Sequence, residues 1–214
     1  MDALFEIPAA TASRSARPET KWTERMVLDL LLQRYAVSGG NGPRYAFAEH
    51  VRSQVGHDAP RTADFIAMSL WASDGMALHG HEVKVSRADW LTELRDPTKA
   101  AAFQPYMHHW WLVVSDKSIV RDDLPDDWGL MAPRSDGRLA VARRAPRRDP
   151  EPLPATLTAC ILRATAKTAQ RALVRDRRGV EWVAQALGSH GLCEYGDRDT
   201  AAAVLETFRQ AGGF

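Results

Sequence analysis

Two acids and one lysine have the types and spacing best suited to chemistry. Glu82 and Lys84 are separated by one residue within segment 79–85, and Asp64 precedes Glu82 by eighteen positions. Alternate side chains of an extended strand share a face, so Glu82 and Lys84 are predicted to project together. With Asp64 on a neighbouring strand, two carboxylates and one ammonium group would surround a point that suits a divalent cation holding a phosphate and a water.

The flanking segments indicate the elements that position these residues. Apolar residues at helical spacing predict a first helix, with Thr23 as its N-cap. The predicted order is a helix over 23–35, strands over 45–51, 62–70 and 77–86, helices over 86–94 and from Pro97 to about His109, and strands over 110–115, 128–131 and 138–141. This order predicts an α/β fold.

On these residues the chain resembles the PD-(D/E)XK, or restriction-endonuclease-like, nuclease superfamily. It is most similar to the MmcB-like DNA-repair nucleases over segments 61–71, 81–91, 96–100 and 128–130, and the likeness covers roughly residues 22–145. Ala63 stands where the superfamily name has a proline, a departure that is frequent in the superfamily. The resemblance implies a restriction-endonuclease-like core of helix, three-strand meander, helix and strand, with a mixed sheet flanked by helices.

The resemblance also implies roles for residues around this signature. Asp64 and Glu82 would ligate Mg²⁺ or Mn²⁺, with the carbonyl of Val83 as a third ligand. Lys84 would orient or help to deprotonate the attacking water and offset phosphate charge. Glu24 lies in the first helix, where many members place an additional acid. It is equally well interpreted as an acid in the first turn that the helix dipole stabilises.

Two further residues are candidates for contact with nucleic acid. Lys99 and Gln104 lie on the helix predicted after the Glu82–Lys84 strand, in the region where related nucleases hold a polar residue against the phosphate. Solvated surface is the alternative for each. His79 and His81 alternate onto the face opposite Glu82, which disfavours a zinc site.

A periodic set of basic residues lies near the C-terminus. These residues repeat every four positions, so on a helix they would form a cationic stripe that attracts the phosphates of nucleic acid. The stripe consists of Arg163, Lys167, Arg171 and Arg175. An ordinary solvated helix face is the other interpretation. Across residues 134–178 the chain has twelve Arg or Lys and four Asp or Glu, although its net charge is only +1.

Composition indicates a soluble globular protein. The chain has 214 residues, of which 45% are hydrophobic and 26% charged, and no apolar run approaches the ~20 residues that cross a bilayer. We therefore expect no membrane contact. Cys160 and Cys193 are too isolated for a disulfide framework, and no secretory leader is evident. These features predict a cytoplasmic location.

The chain is predicted to divide into four parts. These are a disordered tail over 1–20, a nuclease-like domain over 21–146, a linker over 147–154 and a small helical C-terminal appendage over 155–214. The appendage is expected to hold helices over 157–174, 180–187 and about 200–210. In the tail, Ala3-Leu4-Phe5 resembles the end of peptides that dock on bacterial sliding clamps, which makes a clamp one candidate partner. A homodimer is another, because many nucleases of this class act as dimers.

The sequence thus predicts a Mg²⁺-dependent DNA nuclease that acts in DNA repair, recombination or phage and mobile-element metabolism. Two alternatives stay open. One is a non-catalytic or structure-recognising nucleic-acid-binding module on the same fold. The other is an RNA-directed nuclease, because contacts to the 2′-hydroxyl decide between DNA and RNA.

Overall fold

The computed structural model of the chain describes residues 21–39, 42–55, 61–96 and 98–189, with side chains up to residue 172 apart from that of residue 39. The elements in chain order are α1 (Glu24–Tyr35), β1 (Ser38–Gly39), β2 (Gly42–Pro43), β3 (Tyr45–Arg52), β4 (Thr62–Ser69), β5 (Leu78–Lys84), α2 (Arg87–Arg95), α3 (Thr98–Ala101), β6 (His109–Val114), β7 (Gly129–Pro133), β8 (Leu139–Arg143) and α4 (Ala155–Ser189). The predicted disordered tail, its clamp-like segment and the predicted last helix lie outside the described residues.

Six strands form one mixed sheet in the order β3-β4-β5-β6-β7-β8. The first three strands are antiparallel neighbours, β5 to β7 run parallel, and β8 is antiparallel to β7. Helices lie on both faces of this sheet. The prediction of an α/β fold with a mixed sheet flanked by helices is therefore confirmed.

Side-chain caps define where two of the helices begin. Thr23 Oγ1 accepts a hydrogen bond from the Met26 amide at 3.3 Å and caps α1, as the sequence predicts. Ser86 Oγ accepts from the Asp89 amide at 3.1 Å and caps α2. This second cap lies two residues after Lys84, so α2 begins close to the end of β5.

The sheet separates two apolar clusters. One packs α2, α3 and the start of α4 on the sheet around Trp90, Phe103 and Trp110. The other packs α1 on the opposite face, around Leu31 and Phe65. Because the two clusters cover both faces, polar side chains that point inward from the strands must find polar partners.

Glycine lets a large ring lie flat on the central strands. Gly80 of β5 pairs with Trp110 of β6, and Gly129 of β7 pairs with Trp111. A Cβ atom at either glycine would overlap the ring of its partner tryptophan. The tryptophans are therefore structural, and their rings fill the space left by the missing side chains.

The helix predicted from Pro97 to about His109 is wrong. α3 ends at Ala101, a short 3₁₀ helix follows over Gln104–Tyr106, and β6 begins at His109. Pro105 explains the interruption, because proline lacks an amide hydrogen and disfavours helical geometry in the residue before it.

The predicted helix break near residues 175–179 is also wrong. α4 is continuous from Ala155 to Ser189 and passes through Gly179. One glycine costs a helix only about 1 kcal/mol relative to alanine, which neighbouring turns can offset. The predicted linker 147–154 has neither helix nor strand.

The first turns of α4 pack directly on the sheet. Leu157, Cys160 and Ala164 are buried in the same cluster as Trp110. Thr168 is also buried, and its Oγ1 accepts a hydrogen bond from the amide of Glu49 in β3 at 3.0 Å. The start of the predicted appendage therefore covers the β3 end of the sheet. None of the helices in the described ranges is long and apolar enough to span a membrane.

Candidate active site

Asp64, Glu82 and Lys84 lie on the adjacent strands β4 and β5, as predicted. The Oδ2 atom of Asp64 accepts the backbone N–H of Val83 at 2.8 Å. This bond fixes the Asp64 carboxylate against β5, one residue from Glu82. Glu82 and Lys84 point to the face covered by α2 and α3, whereas His81 points to the α1 side and bonds Tyr35 at 2.8 Å. The predicted face separation of the histidines from Glu82 is therefore confirmed.

Two ammonium groups contact the carboxylate of Glu82. The Nζ atoms of Lys84 and Lys99 both form ion pairs with Glu82 Oε1. Lys99 Nζ also lies 3.8 Å from Asp64 Oδ1. Both predicted ligand carboxylates therefore converge on one positively charged group, which stands where a cation held by the two acids would lie.

Burial and neighbouring charge perturb Glu82. Only 1% of this residue is exposed. Burial, and after it repulsion from Asp64, outweigh the attraction of the two lysines and raise the pKa of Glu82 from 4.5 to about 8. Glu82 therefore keeps its proton to a higher pH than an exposed carboxyl group does.

At Lys84, in contrast to Glu82, the neighbouring charges outweigh the effect of burial. Burial alone would lower the pKa of its ammonium group, but attraction from Glu82 and Glu93 outweighs burial and leaves the pKa above its ordinary value. Lys84 therefore carries a proton at neutral pH. A protonated amine can donate a hydrogen bond and stabilise negative charge, but it cannot accept a proton from water.

Glu93 of α2 is a site residue that the sequence reasoning missed. Its Oε2 lies 3.0 Å from Lys84 Nζ and 3.8 Å from Lys99 Nζ. Its other oxygen, Oε1, is buried without a hydrogen-bond partner within the described part of the chain. Glu93 follows the buried Trp90 by three positions, so both share one helix face. That spacing was the available signal for an inward-pointing acid.

A second group of potential ligands includes Asp64. Ligand atoms of Glu24, His50 and Asp64 all lie within 4.8 Å of one another, and the Oε1 atom of Glu24 is 3.9 Å from His50 Nδ1. Glu24 thus lies beside Asp64, as the resemblance implies. His50 carried no sequence signal, because a left-handed backbone angle, φ 52°, at a non-glycine residue positions it.

These residues border an open pocket of about 440 Å³. Its walls come from α1, β4, β5, α2 and α3, and the lining residues include Glu24, Arg61, Asp64, Val83, Lys84, Glu93 and Lys99. We call it the acid pocket. Glu82 lies beneath Lys84 and Lys99 and does not line it. A ligand in the pocket reaches Asp64 directly and reaches Glu82 only when the lysine contacts rearrange.

The acid pocket suits a hard divalent cation. Carboxylate oxygens are the preferred ligands of Mg²⁺ and Mn²⁺, and three acids converge with an unpaired oxygen among them. Val83 lines the same pocket. The donor set therefore fits the predicted metal, and Asp64 belongs to both ligand groups.

Gln104 lies apart from the acid pocket. It lines a separate pocket with Asp127 and Arg148, because the 3₁₀ turn at Pro105 redirects the chain away from α3. Lys99 lies in the acid pocket, but its ammonium group contacts carboxylates. Of the two residues predicted to hold phosphate, the structure brings only Lys99 to the site.

The basic stripe lies on α4, as its spacing predicts. Arg163, Lys167 and Arg171 line one pocket with residues of β3. Arg171 Nη1 also forms a 3.1 Å ion pair with Glu49 Oε2. Arg175 lies within α4, beyond the described side chains.

Comparisons with known proteins leave the family open. No protein-family model and no curated protein matches the chain. A solved protein of unknown function from Silicibacter pomeroyi is similar, with 18% identity and a TM-score of 0.47; the match covers 77% of this chain and 96% of that one. Any assignment of activity must therefore be argued from the site.

Proposed function

We propose that this chain is a metal-dependent DNA nuclease with a PD-(D/E)XK-type core. The observation that carries the proposal is the convergence of Asp64, Glu82 and Lys84 from adjacent strands at an open pocket. Asp64 and Glu82 approach the same ammonium group, and Lys84 contacts Glu82 directly. The helix before the sheet and the crossover between β5 and β6 agree with the core that the resemblance implies.

Hydrolysis of a phosphodiester needs a positioned water and positive charge near the phosphate. Bound Mg²⁺ or Mn²⁺ would supply Lewis acidity and a more acidic water, with Asp64, Glu82 and the Val83 carbonyl as its ligands. Lys84 keeps its proton and would donate to the attacking water or to a phosphate oxygen. Glu93 holds Lys84 from the other side and restricts the directions in which its ammonium group can point.

One observation favours the non-catalytic alternative. Lys84 and Lys99 already form ion pairs with Glu82, so its carboxylate has positively charged partners without an added cation. A site built only to fold would look similar in this respect. The unpaired oxygen of Glu93 and the open wall at Asp64 speak against a purely structural cluster.

The test is cleavage of single-stranded, duplex and branched DNA by the full chain with Mg²⁺ or Mn²⁺, comparing wild type with Asp64→Asn. Asparagine keeps an oxygen that can accept from the Val83 amide, so folding should persist while the ligand charge is lost. We expect cleavage to fall at least about 100-fold.

Asp136→Asn is the matched control, because Asp136 is exposed in the turn between β7 and β8. It should cleave like wild type. Wild-type protein that hydrolyses none of these substrates with either metal would contradict the proposal. Cleavage of the corresponding RNA in preference to DNA would redirect it to the RNA-directed alternative.

A further inference from the structure

A cationic groove lies between the end of β3 and the first half of α4. It encloses about 230 Å³ and is lined by four Arg or Lys side chains and one acid, Glu49. We call it the basic groove, and its cations are Arg52, Arg163, Lys167 and Arg171. Two elements that are more than a hundred residues apart in sequence thus contribute to one charged surface.

Glu49 offsets only part of the charge of this groove, because its carboxylate pairs with Arg171 of the groove and with Arg25 of α1. It is 3% exposed and is held by Arg25 Nη2 at 2.5 Å and Arg171 Nη1 at 3.1 Å. The ion pairs of this carboxylate therefore link β3 to α1 and to α4. Neither Arg163 nor Lys167 forms an ion pair with any residue in the described ranges, and both are exposed.

The spacing of these cations fits an extended anion. Arg163, Lys167 and Arg171 follow one another at four-residue intervals along a regular helix. Each interval corresponds to about 6 Å along the helix axis. A row of separate charges on long, exposed side chains suits the repeated phosphates of a polynucleotide better than a single small anion, which needs a closed cradle of donors.

The basic groove adjoins the acid pocket through His50. His50 lines the basic groove, and its Nδ1 lies 3.9 Å from Oε1 of Glu24, which lines the acid pocket. The left-handed backbone angle at His50 places it at this junction. A strand whose phosphate lies at Asp64 would pass His50 and meet α4 next.

We propose that the basic groove binds backbone phosphates of the DNA segment that continues beyond the acid pocket. This inference rests on the proposed nuclease function for the identity of the ligand. The groove contacts phosphates and does not contact the bases, so binding through it should not depend on the DNA sequence. It assigns to α4 the role of holding substrate in register with the cleavage site.

The test uses the full chain carrying Asp64→Asn in metal-free buffer, so that DNA stays intact. Fluorescence anisotropy with a labelled 30-nucleotide DNA, single-stranded and duplex, measures affinity over a series of salt concentrations. The groove variant is Arg163→Ala with Lys167→Ala. We expect at least a tenfold loss of affinity and a log–log salt slope that is shallower by about 1.8 for duplex and about 1.4 for single-stranded DNA, as for two lost phosphate contacts.

The matched control is Arg134→Ala with Arg138→Ala, which removes the same charge near the opposite edge of the sheet. It should bind DNA like the parent chain. Arg163→Lys with Lys167→Arg should restore most of the affinity, since phosphate contact requires charge. Equal melting temperatures of the three double variants would show that lost binding does not reflect unfolding.

Equal affinity and equal salt slope for the groove variant and the parent would overturn the inference. An RNA of the same sequence that competes better than DNA would overturn the assignment to DNA. The nuclease proposal is measured separately, as Mg²⁺- or Mn²⁺-dependent hydrolysis of single-stranded, duplex and branched DNA by the wild-type chain. If that hydrolysis is absent while the groove variant still loses DNA affinity, the groove stands and the nuclease proposal fails.

Discussion

The acid pocket and the basic groove meet at His50 but differ in how their charges are buried and paired. At the acid pocket, two lysines form short ion pairs with Glu82, which lies beneath them and is 1% exposed. In the basic groove, the cations are exposed and the single acid is already paired. The first arrangement fixes positions tightly, and the second leaves charge available to a partner.

Because of this difference, we expect the two regions to affect different properties, the rate of the reaction and the affinity for DNA. Buried charges interact in a low effective dielectric, so small displacements there have large consequences. Exposed charges are screened by salt and tolerate loss of a single member. We therefore expect the acid pocket to determine the rate of cleavage when the protein is saturated with DNA. The basic groove should determine the affinity for DNA, and so the DNA concentration at which the protein becomes saturated.

Lys84→Met gives the largest expected contrast. Methionine preserves the length of the side chain but removes the charge that would orient water and stabilise phosphate, so kcat should fall about 100-fold or more. Single-turnover cleavage at saturating DNA measures this effect. The Arg163→Ala and Lys167→Ala variant, at enough DNA to saturate it, should lose much less.

Lys117→Met is the control for this substitution, because Lys117 is exposed and does not line the acid pocket. Equal losses of kcat in the Lys84 and groove variants would break the proposed division of labour. Retained turnover in Lys84→Met would remove Lys84 from the mechanism.

Stability against pH gives the next contrast. The pKa of Glu82 is raised from 4.5 to about 8, so the folded chain keeps a proton that the unfolded chain has lost. The free energy of unfolding should therefore fall as pH rises from 6.5 to 8, by at most about 1.4 kcal/mol per pH unit. Urea denaturation measures it, and Glu82→Gln should flatten the slope.

The pH window matters, because the pKa values of His79 and His81 are lowered by burial. Those histidines make stability increase with pH, but only up to the unfolded value of 6.5. The groove variant should keep the wild-type slope above pH 6.5, since Arg and Lys do not titrate there. Identical slopes in wild type and Glu82→Gln would mean that Glu82 is ionised throughout.

The smallest predicted effect concerns Lys99. Its ammonium group lies among Asp64, Glu82 and Glu93, where it competes with an added cation. Lys99→Ala should strengthen Mn²⁺ binding about fivefold, the equivalent of about 1 kcal/mol. Isothermal titration calorimetry measures it, with Lys117→Ala as control. Weaker Mn²⁺ binding in Lys99→Ala would mean that Lys99 supports the site instead of competing for it.

The sequence predicted the parts of the site that depend on local spacing. Strand alternation was enough to place Glu82 and Lys84 together, and the helical period was enough to align Arg163 with Lys167. These relations survive because they follow from one element each.

Contacts between distant elements could not be predicted in the same way. Glu49 meets Arg171 across 122 positions, and no sequence pattern near either residue signals the pair. His50 reaches the site through an unusual backbone angle, which its residue type does not reveal. Glu93 had a usable signal in its spacing from Trp90, but only once α2 was known to pack its Trp90 face inward.

The central claim is that Asp64 and Glu82 act together as one cation site, and Mn²⁺ titration of the full chain by calorimetry and electron paramagnetic resonance tests it most directly. We predict one tightly held Mn²⁺ per chain at pH 8, weakened at least tenfold by Asp64→Asn and again by Glu82→Gln, with Asp136→Asn unchanged. Wild-type protein that binds no Mn²⁺, or that binds it equally well in both variants, would contradict the account.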